Sequence, residues 1–193
     1  FVVKGMEDFQ FSVSQAYVDM SDYANPAGVV LPPCYNQQYP DDIRLWRGFC
    51  LNYFSVQLPE ELNKQDNPVT IYASNLFLDD AGVTGNFGAN NVFSTYENAL
   101  NEEWGFSVDS LLIGLTLNKM TTGRMAGEIV IPPLDNTALG YSALVSQSPS
   151  GGMVNYQFSI RPASSMGISC FNSTLSVYPS SSLSIARVNR KFK

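Results

Sequence analysis

The sequence predicts an all-β protein, an antiparallel β-sandwich of jelly-roll or Greek-key type, and three observations carry that prediction. From about residue 106 to residue 188 the chain reads as strand after strand, with Gly, Pro and Ser clusters between them. Apolar and polar residues alternate at the period of two that a half-buried strand requires. Helix signals are confined to one short stretch near residues 95–104. At 193 residues the chain suits one sandwich domain with a sizeable core.

In chain order, Phe9, Phe11 and Val13 alternate with Gln10 and Ser12 and open the first strand. Residues 21–42 then read as an ordered loop, because Asn25-Pro26-Ala27-Gly28 and Pro32-Pro33 remove ladder donors and relax the backbone. Gly48 to Leu58 is a long aromatic strand whose alternation slips near Tyr53 and Phe54, the mark of a bulge or a change of sheet. Val69 to Leu78 is the next strand, and the Gly/Asn-rich residues 79–91 read as a connection. Ser94, with Glu97 three residues on, forms a capping box for a helix that ends at Gly105. Strands follow at Phe106–Leu117 and Glu128–Ile131, separated by the turn-like KMTTGRMAG and closed by Pro132-Pro133.

The hairpin from Ala138 to Ile160 has the clearest pattern. Leu139, Tyr141, Ala143 and Val145 share one face of its first strand, and Val154, Tyr156, Phe158 and Ile160 one face of its second. Residues 168–178 and 183–188 supply two more strands. Eight or nine strands with unequal loops fit a jelly roll or Greek key better than an up-and-down barrel with short even turns.

Composition narrows the function classes. Apolar residues at 45% with 12% aromatics argue against disorder, and only 15% charged residues leave a surface of Ser, Asn, Thr and Gln. The net charge of -6 opposes nucleic-acid binding through the main body. Residues 187–193 carry Arg187, Arg190, Lys191 and Lys193, four of the 11 basic residues, against 17 acidic residues that all precede them. The expected organisation is therefore one domain over 1–186 and a basic tail over 187–193, read either as a frayed terminus or as an arm for RNA or an acidic neighbour. Cys34, Cys50 and Cys170 leave an odd thiol whatever pairs, and no obligate disulfide framework is expected. No apolar run is long enough for a membrane span, and no signal peptide is expected. A start on Phe1 rather than Met is expected of a cut precursor or an expressed fragment.

The chain contains no histidine, which removes the commonest general base and metal ligand. Thr116 and Lys119 have hydroxyl-x-x-Lys spacing but fall at a strand end, and GYSAL around Ser142 lacks the second Gly of a nucleophile elbow. The paired carboxylates Asp41-Asp42, Glu60-Glu61, Asp79-Asp80 and Glu102-Glu103 read mostly as solvated turns and helix surface, since neighbours on a strand face opposite ways. Asp79 and Asp80 are the calcium candidate, because a Gly/Asn-rich loop follows whose oxygens could complete a cage. No other cofactor is expected, and zinc is disfavoured because the cysteines are far apart.

For recognition, residues 40–49 gather Asp41, Asp42, Arg44, Trp46 and Arg47, an aromatic plane with hydrogen-bonding heads that suits a sugar or a protein hot spot. The bland alternative is that Trp46 covers a sandwich edge. Residues 79–93, with Asn90 and Asn91, form the second candidate surface or a plain solvated loop. The sequon Asn172-Ser173-Thr174 falls inside an expected strand, which argues against its use.

Many short aromatic strands, abundant Ser and Asn, scarce Lys and long loops such as YANPAGVVLPPCYNQQYP resemble the coat-protein domains of small non-enveloped RNA viruses, including their protruding spike domains. Shell domains of that type usually carry a basic N-terminal arm, whereas residues 1–20 hold only Lys4, which favours a protruding or outer domain. The resemblance implies a place on the virion surface, self-association as a dimer or trimer, and attachment to a host receptor or glycan. Tyr17, Tyr23, Tyr35 and Tyr39 then either anchor subunit contacts or pin the long loop onto its own sandwich. Two alternatives stay open: a secreted carbohydrate- or protein-binding sandwich, and a carboxylate-dependent glycosidase.

Overall fold

The structure, a computed structural model, describes residues 4–60, 67–94, 104–134, 137–148, 150–188 and 191–192. Ten strands form one antiparallel sheet: β1 (Gln10–Asp19), β2 (Gly48–Gln57), β3 (Thr70–Asp79), β4 (Gly82–Ser94), β5 (Gly105–Thr116), β6 (Lys119–Val130), β7 (Ala138–Ser146), β8 (Asn155–Pro162), β11 (Leu183–Val188) and β12 (Lys191–Phe192). A separate hairpin of β9 (Met166–Cys170) and β10 (Ser173–Val177) makes a small second sheet, and the one α-helix among the described residues is the short α1 (Tyr35–Gln38). The all-β antiparallel class is as expected. It is sandwich-like in that a second layer, formed by the 20–47 segment at one end and the β9–β10 hairpin at the other, lies on the large sheet.

The connectivity corrects the expected jelly-roll or Greek-key order. From β1 to β8 each strand lies beside its predecessor, and only the β9–β10 hairpin interrupts the series before β11 returns to pair with β8. Tight turns fix this order at two of the connections. Asp80-Ala81 links β3 to β4, and Leu117-Asn118, with φ of 48° and 65°, links β5 to β6 in the left-handed pair of a type I′ hairpin. A two-residue turn leaves no chain with which to cross over another strand.

Several local expectations also change. Residues 82–94 are strand β4 rather than loop, and KMTTGRMAG belongs to β6. The register of β2 against both neighbours runs unshifted past Tyr53 and Phe54, so no bulge lies there. The sheet bends instead between Ser74 and Phe77 of β3, where Asn75 has φ 49° and faces Gly85 of β4. Asn172 sits in the exposed turn between β9 and β10 with φ 64°, not inside a strand. Ser94 and Gly105, the expected helix ends, lie in β4 and β5, and the intervening 95–103 fall outside the described residues. The β7–β8 hairpin is as expected, with Tyr141, Ala143 and Val145 opposite Ile160, Phe158 and Tyr156. Of the basic tail, Arg187 pairs in β11 and Lys191 in β12, while Arg190 and Lys193 lie outside the described residues.

Register sorts the side chains into two unlike faces, because paired residues project the same way. One row crosses the sheet from β1 to β11 as Phe11, Val56, Ile71, Ala89, Leu111, Met125, Ala143, Phe158 and Ile185. The next row along, on the other face, reads Gln10, Gln57, Thr70, Asn90, Ser110, Ala126, Ser142, Ser159 and Ser184. The first of these rows is apolar from edge to edge and the second is almost wholly polar, although Tyr72, Leu112 and Leu144 share the second row's face. The packed core occupies one end of the apolar face, where Tyr35 and Trp46 close over Cys50 and Phe77 with Tyr17, Leu31 and Ile43 around them.

Candidate interaction face

Of the residues singled out around Trp46, Trp46 itself belongs to that core, while Asp41, Arg44 and Arg47 are exposed. Asp42 starts a 3-10 turn over Ile43–Leu45, accepting the Arg44 backbone N–H at 3.0 Å, and the turn aims Trp46 inward. Trp46 is fully buried, edge-on to Phe77, and its indole Nε1 donates to Asp79 Oδ2 at 2.7 Å. It therefore offers no stacking surface to a sugar. Arg44 folds back on Asp42 at 2.7 Å, which holds that carboxyl down at about 2 through the guanidinium hydrogen bond and the Arg44 backbone N–H. Arg47 pairs with Asp22, and Asp41 is exposed beside them.

Asp79 is similarly engaged in structure. Its Oδ1 accepts the backbone N–H groups of Ala81 and Gly82 at 2.8 and 3.1 Å, so the carboxylate shapes the β3–β4 turn while its other oxygen holds Trp46. Asp80 accepts from the Tyr39 hydroxyl at 3.3 Å. The calcium candidate is thus a turn and a tether, and no group of three metal-ligating side chains occurs among the described residues. Asn91, at φ 55° beside the β4 register shift, donates to the Pro68 carbonyl, and Asn90 is an exposed strand residue. The structure does not bring these asparagines together with the 40–49 segment: Asn90 pairs with Thr70, at the end of β3 far from Asp79. Tyr35 and Tyr39 stack on each other and pin the 20–47 segment to the sheet, whereas Tyr23 is exposed. Cys34 and Cys50 are free thiols in this packed region, and burial pushes both up from the ordinary thiol range.

What stands open is the rest of the apolar face. Beyond the 20–47 cover, Ile71, Phe93, Ile113, Tyr156, Phe158 and Ile185 are all more than a third exposed. Rings run across this face in a chain: Phe93 against Phe106, Phe106 stacked on Tyr141 at 5.3 Å, and Tyr141 stacked near Phe158 at 6.3 Å. Gly127 lies between them on β6, where a Cβ would strike the Ser107 carbonyl and the Tyr141 hydroxyl that donates to it.

The polar face carries a groove of about 510 Å³ lined by Asp109, Glu128, Ser142, Gln157, Ser159 and Arg161. Glu128, Gly140 and Arg161 share one row across β6, β7 and β8, so the charged pair stands roughly 10 Å apart over a glycine floor. The Ser142 and Ser159 hydroxyls bond to each other at 2.7 Å beside it. Burial, and next the charge of Asp109, push the neighbouring Tyr141 phenol up from its ordinary value. Sequence reasoning missed these residues, because nothing short of the register places Asp109, Glu128 and Arg161 together. Thr116 and Lys119 face each other across the β5–β6 turn, and Ser142 has only another hydroxyl as partner.

Compared with known proteins, the chain matches no protein family, no curated protein and no solved structure. No helix among the described residues is long and apolar enough to cross a membrane.

Proposed function

We propose that this protein is a non-catalytic structural module that works by assembly: its apolar sheet face is buried against a partner subunit, and its polar face is turned to solvent. The single observation that carries this reading is the uninterrupted apolar row from Phe11 to Ile185. Such a face exposed in an isolated chain is an association site, because each apolar side chain removed from water contributes about 1.5–3 kcal/mol. The resemblance to outer domains of viral coats supplies a setting, in which subunits associate and outward surfaces attach to a host receptor or glycan. The test is the mass of the chain in solution by light scattering across a concentration series, with a fluorescent apolar dye added in parallel. A stable oligomer that excludes the dye supports the reading. A monomer that binds the dye at every concentration overturns it.

The polar groove favours a second reading, a carbohydrate-binding module or a carboxylate-dependent glycosidase. Two carboxylates, Asp109 and Glu128, line one cleft with Arg161 and Gln157, and such a mixture of acceptors and donors suits a polyhydroxylated ligand. Glycan-array binding lost on Arg161→Ala would support it, and hydrolysis of a bound sugar lost on Glu128→Gln would extend it to catalysis. An array without a hit sinks it.

A further inference from the structure

The central window of the apolar face identifies its own partner, on the assumption that the structural reading above holds. Among the described residues, covers lie at two ends: the 20–47 segment over Cys50 and Phe77, and the β9–β10 hairpin near Leu139, Ile160 and Leu183. Between them Leu111, Ile113, Tyr156, Phe158 and Ile185 are 36 to 53% exposed. The window spans β4 to β8 and β11. At ~4.8 Å per strand and ~3.3 Å per residue it measures roughly 25 by 20 Å, or about 500 Å². A standard interface buries about 800 Å² on each partner, so the window supplies the larger part of one.

We propose that a second copy of this chain docks here face to face, so that the sandwich its sequence predicts is completed between two chains. Three features favour a second copy. First, the window is too broad for a small apolar ligand: a groove of about 360 Å³ between Val145, Tyr156, Phe158 and Ile185 reaches only β7, β8 and β11 and leaves Leu111 and Ile113 on β5 uncovered. Second, both central rows carry no charge from β4 until Arg187 at the edge, so a chain of net charge -6 can face itself without like charges at the centre. Third, a two-fold axis through the window sets each copy's groove against the apolar rows of the other, and a groove of 360 Å³ is large enough to receive a branched or aromatic side chain. Two sheets so packed lie ~10 Å apart, the spacing of an ordinary sandwich.

The test uses the full chain with p-benzoylphenylalanine in place of Ile185, irradiated in solution, together with light scattering of Phe158→Asp. Expected are a cross-linked band at twice the 21.2 kDa chain mass and a dimer dissociation constant weakened about 100-fold or more by the buried carboxylate, with circular dichroism unchanged. If Phe158→Asp does not fold, Ile185→Ser, at the exposed edge, is expected to weaken the dimer about 10-fold. A larger assembly whose cross-links from position 185 join no second copy overturns face-to-face pairing and leaves the structural function standing. A monomer with an open face overturns both, and an adduct heavier than the chain by a lipid assigns the window to an apolar ligand instead.

Discussion

Replacing Asp79 by Asn changes one oxygen to an amide, and the geometry predicts a cost out of proportion to that change. Asp79 Oδ2 accepts the Trp46 indole N–H at 2.7 Å, and Trp46 is 0% exposed, so that N–H has no access to water. Asp79 Oδ1 holds the Ala81 and Gly82 amides. Asparagine can keep its carbonyl on the turn only by pointing its NH₂ at the indole donor, and the flipped amide orphans two turn N–H groups instead. One buried unsatisfied donor costs about 1–3 kcal/mol. Asp79→Asn should therefore destabilise by about 2 kcal/mol in urea unfolding followed by far-UV circular dichroism. In a Trp46→Phe background the donor is gone, and the same replacement should cost about 0.5 kcal/mol, a coupling of roughly 1.5 kcal/mol in the double-mutant cycle. A coupling below about 0.5 kcal/mol would refute the assignment of Asp79 as the tether of the 20–47 segment.

Two further predictions concern other parts of the chain. Asp42 is held down at about 2 by the Arg44 guanidinium and the Arg44 backbone N–H, so its contribution is present above pH 4 and is lost as pH falls from about 4 to about 2. Carboxyl-carbon NMR titration should show Asp42 returning toward the ordinary 3.8 in Arg44→Gln, and an unmoved midpoint would contradict this origin. Gly127→Ala should destabilise by about 2 kcal/mol, because its Cβ meets the Ser107 carbonyl and the Tyr141 hydroxyl, while Gly140→Ala, with nothing nearer than the Arg161 carbonyl at 3.9 Å, should be close to neutral in thermal melts. Equal costs at the two glycines would argue against the crowding between β5 and β7.

The contrast between what was legible and what was not is sharpest in β4. Its residues Gly82, Gly85 and Gly88 make the segment read as a loop, yet each glycine answers a neighbour: Gly82 closes the turn at φ 127°, Gly85 stands opposite Asn75 at φ 154°, and Gly88 lies against the Tyr72 ring. Nothing local distinguishes a glycine that frees a loop from one that makes room across a strand. Trp46 was equally ambiguous, because the Phe77 and Asp79 that enclose it come from β3, beyond an intervening strand. By contrast Tyr141, Ala143 and Val145 declared their common face within a single stretch of sequence, and the register agrees.

By itself the sequence determined the class: alternation of period two is a consequence of backbone geometry at neighbouring residues, so antiparallel strands with one apolar side are written locally. Only the tertiary structure decided that the strands follow one another across a single sheet, that their apolar sides add to a continuous face, and that Asp109, Glu128 and Arg161 meet on the other. Register depends on turns of two residues and on bulges such as that at Asn75, where a shift of one position moves every side chain beyond it to the opposite face.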